Sequence, residues 1–493
     1  MKKYGKYTLL GWSWRVLIWI VLTPILLLLL FSVLVYVPAV QKYAVDKVAE
    51  VLSEEMGMEV TVEDVSLKFP LNLSMGGVLA VQDGDTVIDA RRLEVSVRAL
   101  PLFKLQAEVD GIHLYDTKIN TKDLIEACVV RGELAELSLD SHSTDLKKEL
   151  AVVNKALLRD ADFMVLLNDS VSEDTTTSEP VMWKVQLDDI ELQNVKATVL
   201  LSPQSDSTYV MADIATAHAN GFLDLGAEIY SIYKLEVANS SAAFDMRNEP
   251  HLPNQLDPSH LLFHDVSLTV DSFSYRGTGD MAFDLAHLAG TEQSGLVITE
   301  ATSRVEMDSL TLRIPKLNVK TLDSEVTLVY NMDLNAFDSI NPGTFTLVSE
   351  GWIGKDDIIY FTRMGGEATR DVCAMMYQEL PARPVEMRMK AEGNLHELEV
   401  SDLYMKVPGR AVAEGTATLW DVATDSLSSQ VQLAVRDDYG ARLNVNGAVS
   451  MASEAYSAEL VFNNLVLNHY VPLSDLTRLS GKASAKGKGF DFS

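Results

Sequence analysis

Cysteine is almost absent: 493 residues contain only Cys128 and Cys373. That excludes a disulfide scaffold and any cysteine-rich zinc module. Gly (27) and Pro (15) are too few for a collagen-like or low-complexity chain. Positive charge is short as well. Lys and Arg number 41 against 70 Asp and Glu, a formal charge of −29, and no basic cluster occurs. A phosphate backbone needs such a cluster, so nucleic acid is excluded as a partner.

Catalytic and cofactor motifs are missing too. The nine histidines are scattered, with no His-Glu-x-x-His spacing. There is no Gly-x-Ser-x-Gly elbow and no phosphate-binding Gly-Lys-Ser/Thr loop. Gly277-Thr278-Gly279 is an isolated fragment without the strand-to-helix context of a dinucleotide site. Asp83, Asp85, Asp89 and Glu94 fall at positions 1, 3, 7 and 12 of a calcium loop, but position 6 needs Gly and holds Ile88. Acidic pairs such as Asp160/Asp162 and Asp188/Asp189 are what chance supplies among 70 carboxylates, and they read as a solvated face. No enzyme, cofactor or metal is expected.

What is present begins with one long apolar run. Residues 16–37 (VLIWIVLTPILLLLLFSVLVYV) carry no charge, and as a helix they reach about 33 Å, enough for a bilayer core. Lys2, Lys3, Lys6 and Arg15 precede the run and hold the N-terminus in the cytoplasm, so the bulk is exported. A signal peptide has a shorter apolar core of about 7–15 residues and a small-residue cleavage site. Val37-Pro38-Ala39-Val40 is a poor site, so an uncleaved single-pass anchor is expected.

Residues 39–56 have helical periodicity, with Val40, Ala44, Val48, Val51 and Leu52 on one stripe and Gly57 as a stop. Beyond them the spacing becomes alternating. Leu93, Val95, Val97 and Ala99 alternate with polar residues, and so do Trp183, Val185 and Leu187. Gln82-Asp83-Gly84-Asp85 between two apolar runs is a hairpin signal. The sets Ile190/Leu192 and Val195/Ala197/Val199 are out of phase with one another, which predicts bulges that re-aim one face. A polar residue followed by apolar-x-apolar recurs at Asp64, Asp189, Asp265, Asp402 and Asn464, at irregular intervals. Leu146, Leu150, Val153 and Leu157 have helical spacing, and Thr144 could cap such a helix. Residues 169–180 form an acidic loop, and 356–364 and 367–380 read as two short helices.

The order of these parts resembles the AsmA-like family. The resemblance rests on the spanning helix, the amphipathic helix ending in Gly57-Met58-Glu59-Val60, and Val62–Leu67 (VEDVSL). Val87–Val95 (VIDARRLEV) and Ala107–Leu114 (AEVDGIHL) look like the same opening module. Residues 468–491 are similar to a later segment of TamB-type members. This implies a mainly β, elongated, open, taco-like groove hung from the inner membrane into the periplasm, apolar inside and polar outside. It implies phospholipid as cargo, moved toward the outer membrane. It implies alternatively a scaffold for assembling outer-membrane barrel proteins, through a C-terminal region that longer members carry and this chain would lack.

The expected organisation is a cytoplasmic segment 1–15, the span 16–37, an AsmA-like module 38–140, and a helical insertion with acidic loop 141–180. A β-groove 181–350, a helical insertion 351–380 and a continuing, truncated groove 381–493 follow. Leu93, Val95, Val97, Trp183, Val185 and Leu187 are the candidate groove-lining residues. In such a groove a polar residue at Val95 or Val185 would cost function more than folding.

Overall fold

The computed structural model describes residues 58–68, 72–98, 109–122, 128–145, 149–167, 182–201, 208–252, 255–277, 279–336, 340–363, 380–422, 426–466 and 478–489, with a few isolated positions besides. The expected span 16–37, its flanking Lys2, Lys3, Lys6 and Arg15, and the acidic loop 169–180 lie outside the described residues, as do Ala99 and Cys373. Among the described residues no helix is long and apolar enough to cross a membrane. Of the amphipathic segment 39–56 only Lys42, Tyr43 and Ser53 are described, all helical.

The protein is mainly β and divides into two units. The first comprises Met1–Thr176 and Gln186–Pro203, the second Thr177–Val185 and Gln204–Ser493. Strands β1 (Glu59–Lys68), β2 (Asn72–Gln82), β3 (Asp85–Val97), β4 (Val109–Asn120), β5 (Cys128–Asp145) and β6 (Leu150–Leu167) form an antiparallel meander in the first unit. Strand β7 (Lys184–Leu200) follows. The predicted hairpin joins β2 to β3: Gln82 opposes Asp85, and Asp83 and Gly84 take φ of 51° and 86°. Positive φ at both central residues is what a two-residue turn of the strand-compatible hand requires.

The expected helix over Leu146–Leu157 is overturned. Residues 141–145 end β5 and 150–167 form β6, which is paired with β5 along its length. Leu137 opposes Leu158 and Leu139 opposes Ala156 on one face, whereas Leu157 opposes Ser138 on the other. Leu150, Val153 and Leu157, which have helical spacing, lie on this strand, and cross-strand pairing decided between the two periods; Leu146 lies outside the described residues.

The second unit contains β8 (Thr208–Asp224), β9 (Ile229–Met246), β10 (His260–Arg276), β11 (Met281–Glu292), β12 (Val297–Met307), β13 (Thr311–Lys320) and β14 (Glu325–Asp333). After β15 (Phe345–Ile353) comes an eight-residue helix α1 (Lys355–Thr362), part of the expected insertion. The unit continues with β16 (Val385–Gly393), β17 (Glu397–Val407), β18 (Ala411–Trp420) and β19 (Ser428–Asp437). It ends with β20 (Arg442–Ser450), β21 (Ala455–Leu465) and β22 (Leu479–Lys488). From β8 to β22 each strand pairs antiparallel with the next. The sheet is open.

Acidic side chains hold the turns at both margins of this meander. Asp308 accepts the N–H groups of Leu310 (2.9 Å) and Thr311 (2.8 Å). Asp338 accepts those of Ile340 and Asn341, and Asp333 that of Thr344. At the other margin Asp437 accepts from Tyr439 and Ala441, and Glu292 from Ser294. Each carboxylate satisfies amides that the turn has withdrawn from the ladder. These five carboxylates are therefore structural.

Candidate functional site

Strand alternation puts one side chain in two on each face, and cross-strand register then decides whether those side chains line up. In the first unit they do. Val65, Met75, Leu93, Leu114, Leu137 and Leu158 lie directly opposite one another from β1 to β6. A second row runs Leu73, Val95, Ile112, Leu139, Ala156. Leu93 and Val95 pack against a buried cluster of Met75, Val78 and Ala90. The other face is polar. It carries Glu136 with Arg159 (2.5 Å), Arg92 with Glu94 (3.9 Å), and His113 with the Ser138 hydroxyl (2.7 Å).

A third row, Val62, Val78, Ala90, Thr117, Leu134 and Ala161, is the most deeply covered part of the first unit. Ala90 is 0% exposed and Thr117 1%. Between this row and its neighbour each strand slips phase by one residue. Two consecutive residues there face outward: Glu63-Asp64 on β1, Arg91-Arg92 on β3 and Arg159-Asp160 on β6. Gly77, Asp116 and Asp160 take φ of 59°, 46° and 49° along this line. A left-handed residue bends its strand and restarts the alternation, so residues three apart, such as Ala90 and Leu93, share a face.

The predicted bulges are thus present, and the recurring polar–apolar-x-apolar pattern acquires a cause. Asp265, Asp402 and Asn464, which begin three of its five copies, have φ of 54°, 50° and 58°. Asn194 (φ 52°) and Asn239 (φ 51°) play the same part before the buried Val195 and Ser240. Asp64 and Asp189 do not adopt that conformation. Asp and Asn tolerate the left-handed region better than other side chains, which is why they recur there.

In the second unit one apolar row crosses strand after strand. Directly opposed residues run Ala217, Val237, Leu268, Leu288, Ala301, Val319 and Val326 from β8 to β14. The row continues through Gly351, Met387, Met405, Ala413, Val435, Leu443 and Phe462 on β15 to β21. A parallel row holds Leu403, Gly415, Leu433, Val445 and Leu460. Val431, Leu433 and Val435 are only half-buried, alternating with exposed Gln430, Gln432 and Arg436, and Met405 is 46% exposed. The opposite face is laced with ion pairs: Lys320–Glu300 at 2.8 Å, Lys406–Glu386 at 2.9 Å and Arg304–Asp284 at 3.2 Å. Hydrogen bonding by the Glu300 carboxylate pushes the Lys320 ammonium up.

Of the residues singled out in the sequence, Leu93 and Val95 fall within these rows. Val97 is half-buried opposite Val109. Trp183 immediately precedes β7, and its carbonyl accepts the Leu225 N–H (2.9 Å). Trp183 and Val185 belong to the second unit and Leu187 to the first; all three are half-buried. Next to them Asp224 is held below the usual carboxylate range, first by Lys184 and then by the Ala227 amide. Sequence alternation alone misses the partners Leu114, Leu137 and Leu158. The pairs of consecutive polar residues are the signal that would have brought them into phase.

The chain matches no known family profile, and no curated protein matches it.

Proposed function

We propose that the protein is an inner-membrane-anchored periplasmic bridge of the AsmA-like, TamB-type kind, conducting phospholipid toward the outer membrane along an elongated apolar β-groove. The observation that carries this is the continuous apolar face of the second unit, which is left partly exposed from Val319 to Phe462. A Leu or Val left about a quarter exposed forgoes roughly 0.5 kcal/mol of burial. Repeated over strand after strand, that is a large uncovered surface for a water-soluble body. Mobile acyl chains would cover it without a second protein layer. The charged opposite face suits the aqueous side. The apolar run 16–37 behind Lys2, Lys3, Lys6 and Arg15 supplies the anchor.

The rival reading is a scaffold role, in which an exposed strand edge would pair with client strands.

The test is mass spectrometry of organic extracts from the purified full chain, together with fluorescent phospholipid transfer between donor and acceptor vesicles. Stoichiometric phospholipid and transfer activity are expected. A lipid-free protein that transfers nothing would remove the bridge reading.

A further inference from the structure

The turn joining β9 to β10 gathers a second group of side chains, on a margin of the second unit and independent of the apolar face. Ligand atoms of His251, Asp257 and His260 all lie within 4.8 Å of one another. His260 is 3% exposed and Asp257 4%, whereas His251 is exposed. We propose that these three residues, with the Glu249 carbonyl oxygen, bind one divalent transition-metal ion of the Zn2+ type.

Asp245 and Tyr209 already hold the His260 ring in place. His260 Nδ1 lies 3.0 Å from an Asp245 carboxylate oxygen, and the other Asp245 oxygen accepts the Tyr209 hydroxyl at 3.0 Å. A carboxylate on one ring nitrogen fixes the tautomer and leaves the other nitrogen as the ligand. That nitrogen, Nε2, sits 2.9 Å from the Glu249 carbonyl oxygen. A protonated ring donates to both oxygens; with the ring proton on Nδ1 alone, an ion at Nε2 takes the place of the second proton. The Asp257 carboxylate accepts the N–H groups of Leu252 (2.8 Å) and Ser259 (3.1 Å), which fixes the turn and leaves oxygen lone pairs for a further bond. The His251 ring stacks on that of His260, with centroids 3.7 Å apart and planes 27° from parallel. To direct its own lone pair at the ion it must rotate, which its exposed position allows. Two imidazoles with carboxylate and carbonyl oxygens suit Zn2+, Ni2+ or Cu2+ over Mg2+. A proton competes for Nε2: burial pushes the His260 imidazole down, and the Glu249 carbonyl and Asp245 outweigh it and push it up.

The test is calorimetric titration of ZnCl2 into the chelator-treated full chain, with MgCl2 as control. Saturable binding of one Zn2+ per chain and none of Mg2+ is expected. His251→Ala, on the exposed side, should keep the far-ultraviolet circular dichroism and weaken Zn2+ binding at least about 10-fold. Asp245→Asn should weaken it about 10–100-fold, the range for a lost outer-shell partner. No saturable Zn2+ binding, the result if the site holds a proton alone, would overturn the proposal. Binding by His251→Ala as tight as by the parent chain would overturn it too.

Discussion

Gly77 stands against Glu63 across the β1–β2 pair: a Cβ on Gly77 would lie 2.5 Å from the Glu63 Cγ and Cδ atoms. Gly77 also holds φ at +59°, so a side chain there is strained, and the exposed Glu63 side chain would have to swing aside. Gly77→Ala is expected to destabilise the first unit by about 2–3 kcal/mol, combining backbone strain with the displaced glutamate. Gly84→Ala, where φ is +86° but nothing lies within 4 Å, should cost only about 1 kcal/mol. Urea midpoints of the two variants measure the difference, and equal losses would mean that the Glu63 contact is immaterial.

Thr117 is the polar member of the buried row between Ala90 and Leu134. Its hydroxyl donates to the Tyr115 carbonyl at a long 3.4 Å. Little is lost by removing so weak a bond, and a methyl group gains burial worth about 0.8 kcal/mol. Thr117→Val should therefore be neutral to stabilising by up to about 1 kcal/mol. Ala90→Leu, at a site with no exposed surface, should overpack and cost about 1–3 kcal/mol. Thermal melting of both variants checks the contrast.

Val95 packs on the buried cluster of β2 and β3, so Val95→Asp is expected to unfold the first unit, contrary to the expectation from sequence. Leu433, half-buried on the apolar face, is the cleaner probe of conduction. Leu433→Asp should leave the circular dichroism spectrum intact and reduce vesicle transfer several-fold, since a charge in hydrocarbon is costly. Gln432→Asp on the opposite face should transfer as the parent does. Equal transfer by both variants would count against lipid on that face.

The margins set the acid limit of the fold. Backbone N–H groups hold the Asp308, Asp333 and Asp338 carboxyls below their ordinary value, and Lys184 does so for Asp224. A carboxylate depressed by folding stabilises the protein above its unfolded pKa, near 4. That contribution is lost as pH falls through the folded value. Urea midpoints should therefore stay level near neutrality and drop below about pH 4. Asp308→Asn should flatten part of that drop.

Strand identity and the hairpin at Asp83-Gly84 were legible because alternation and turn chemistry are local. The helix expected at Leu146–Leu157 failed because β5 pairing is not local, and four apolar residues suit both periods. The phase slips were visible as paired polar residues, but their alignment depends on register across strands, which no single segment encodes. The His251–Asp257–His260 group escaped notice because its spacing matches no metal motif. Only the folded turn brings His251 back over His260.

Nearest-neighbour pairing also changes what counts as a unit of stability. Among the described residues the strands make their main contacts with sequence neighbours, and such strands behave like links of a one-dimensional lattice, whose stability is close to a sum of strand and interface contributions. In such a lattice, removing a whole hairpin joins two like-facing neighbours, whereas removing a single strand reverses the chain direction of everything after it. Length would then vary in steps of two strands, each step changing the span of the apolar face without rebuilding the rest.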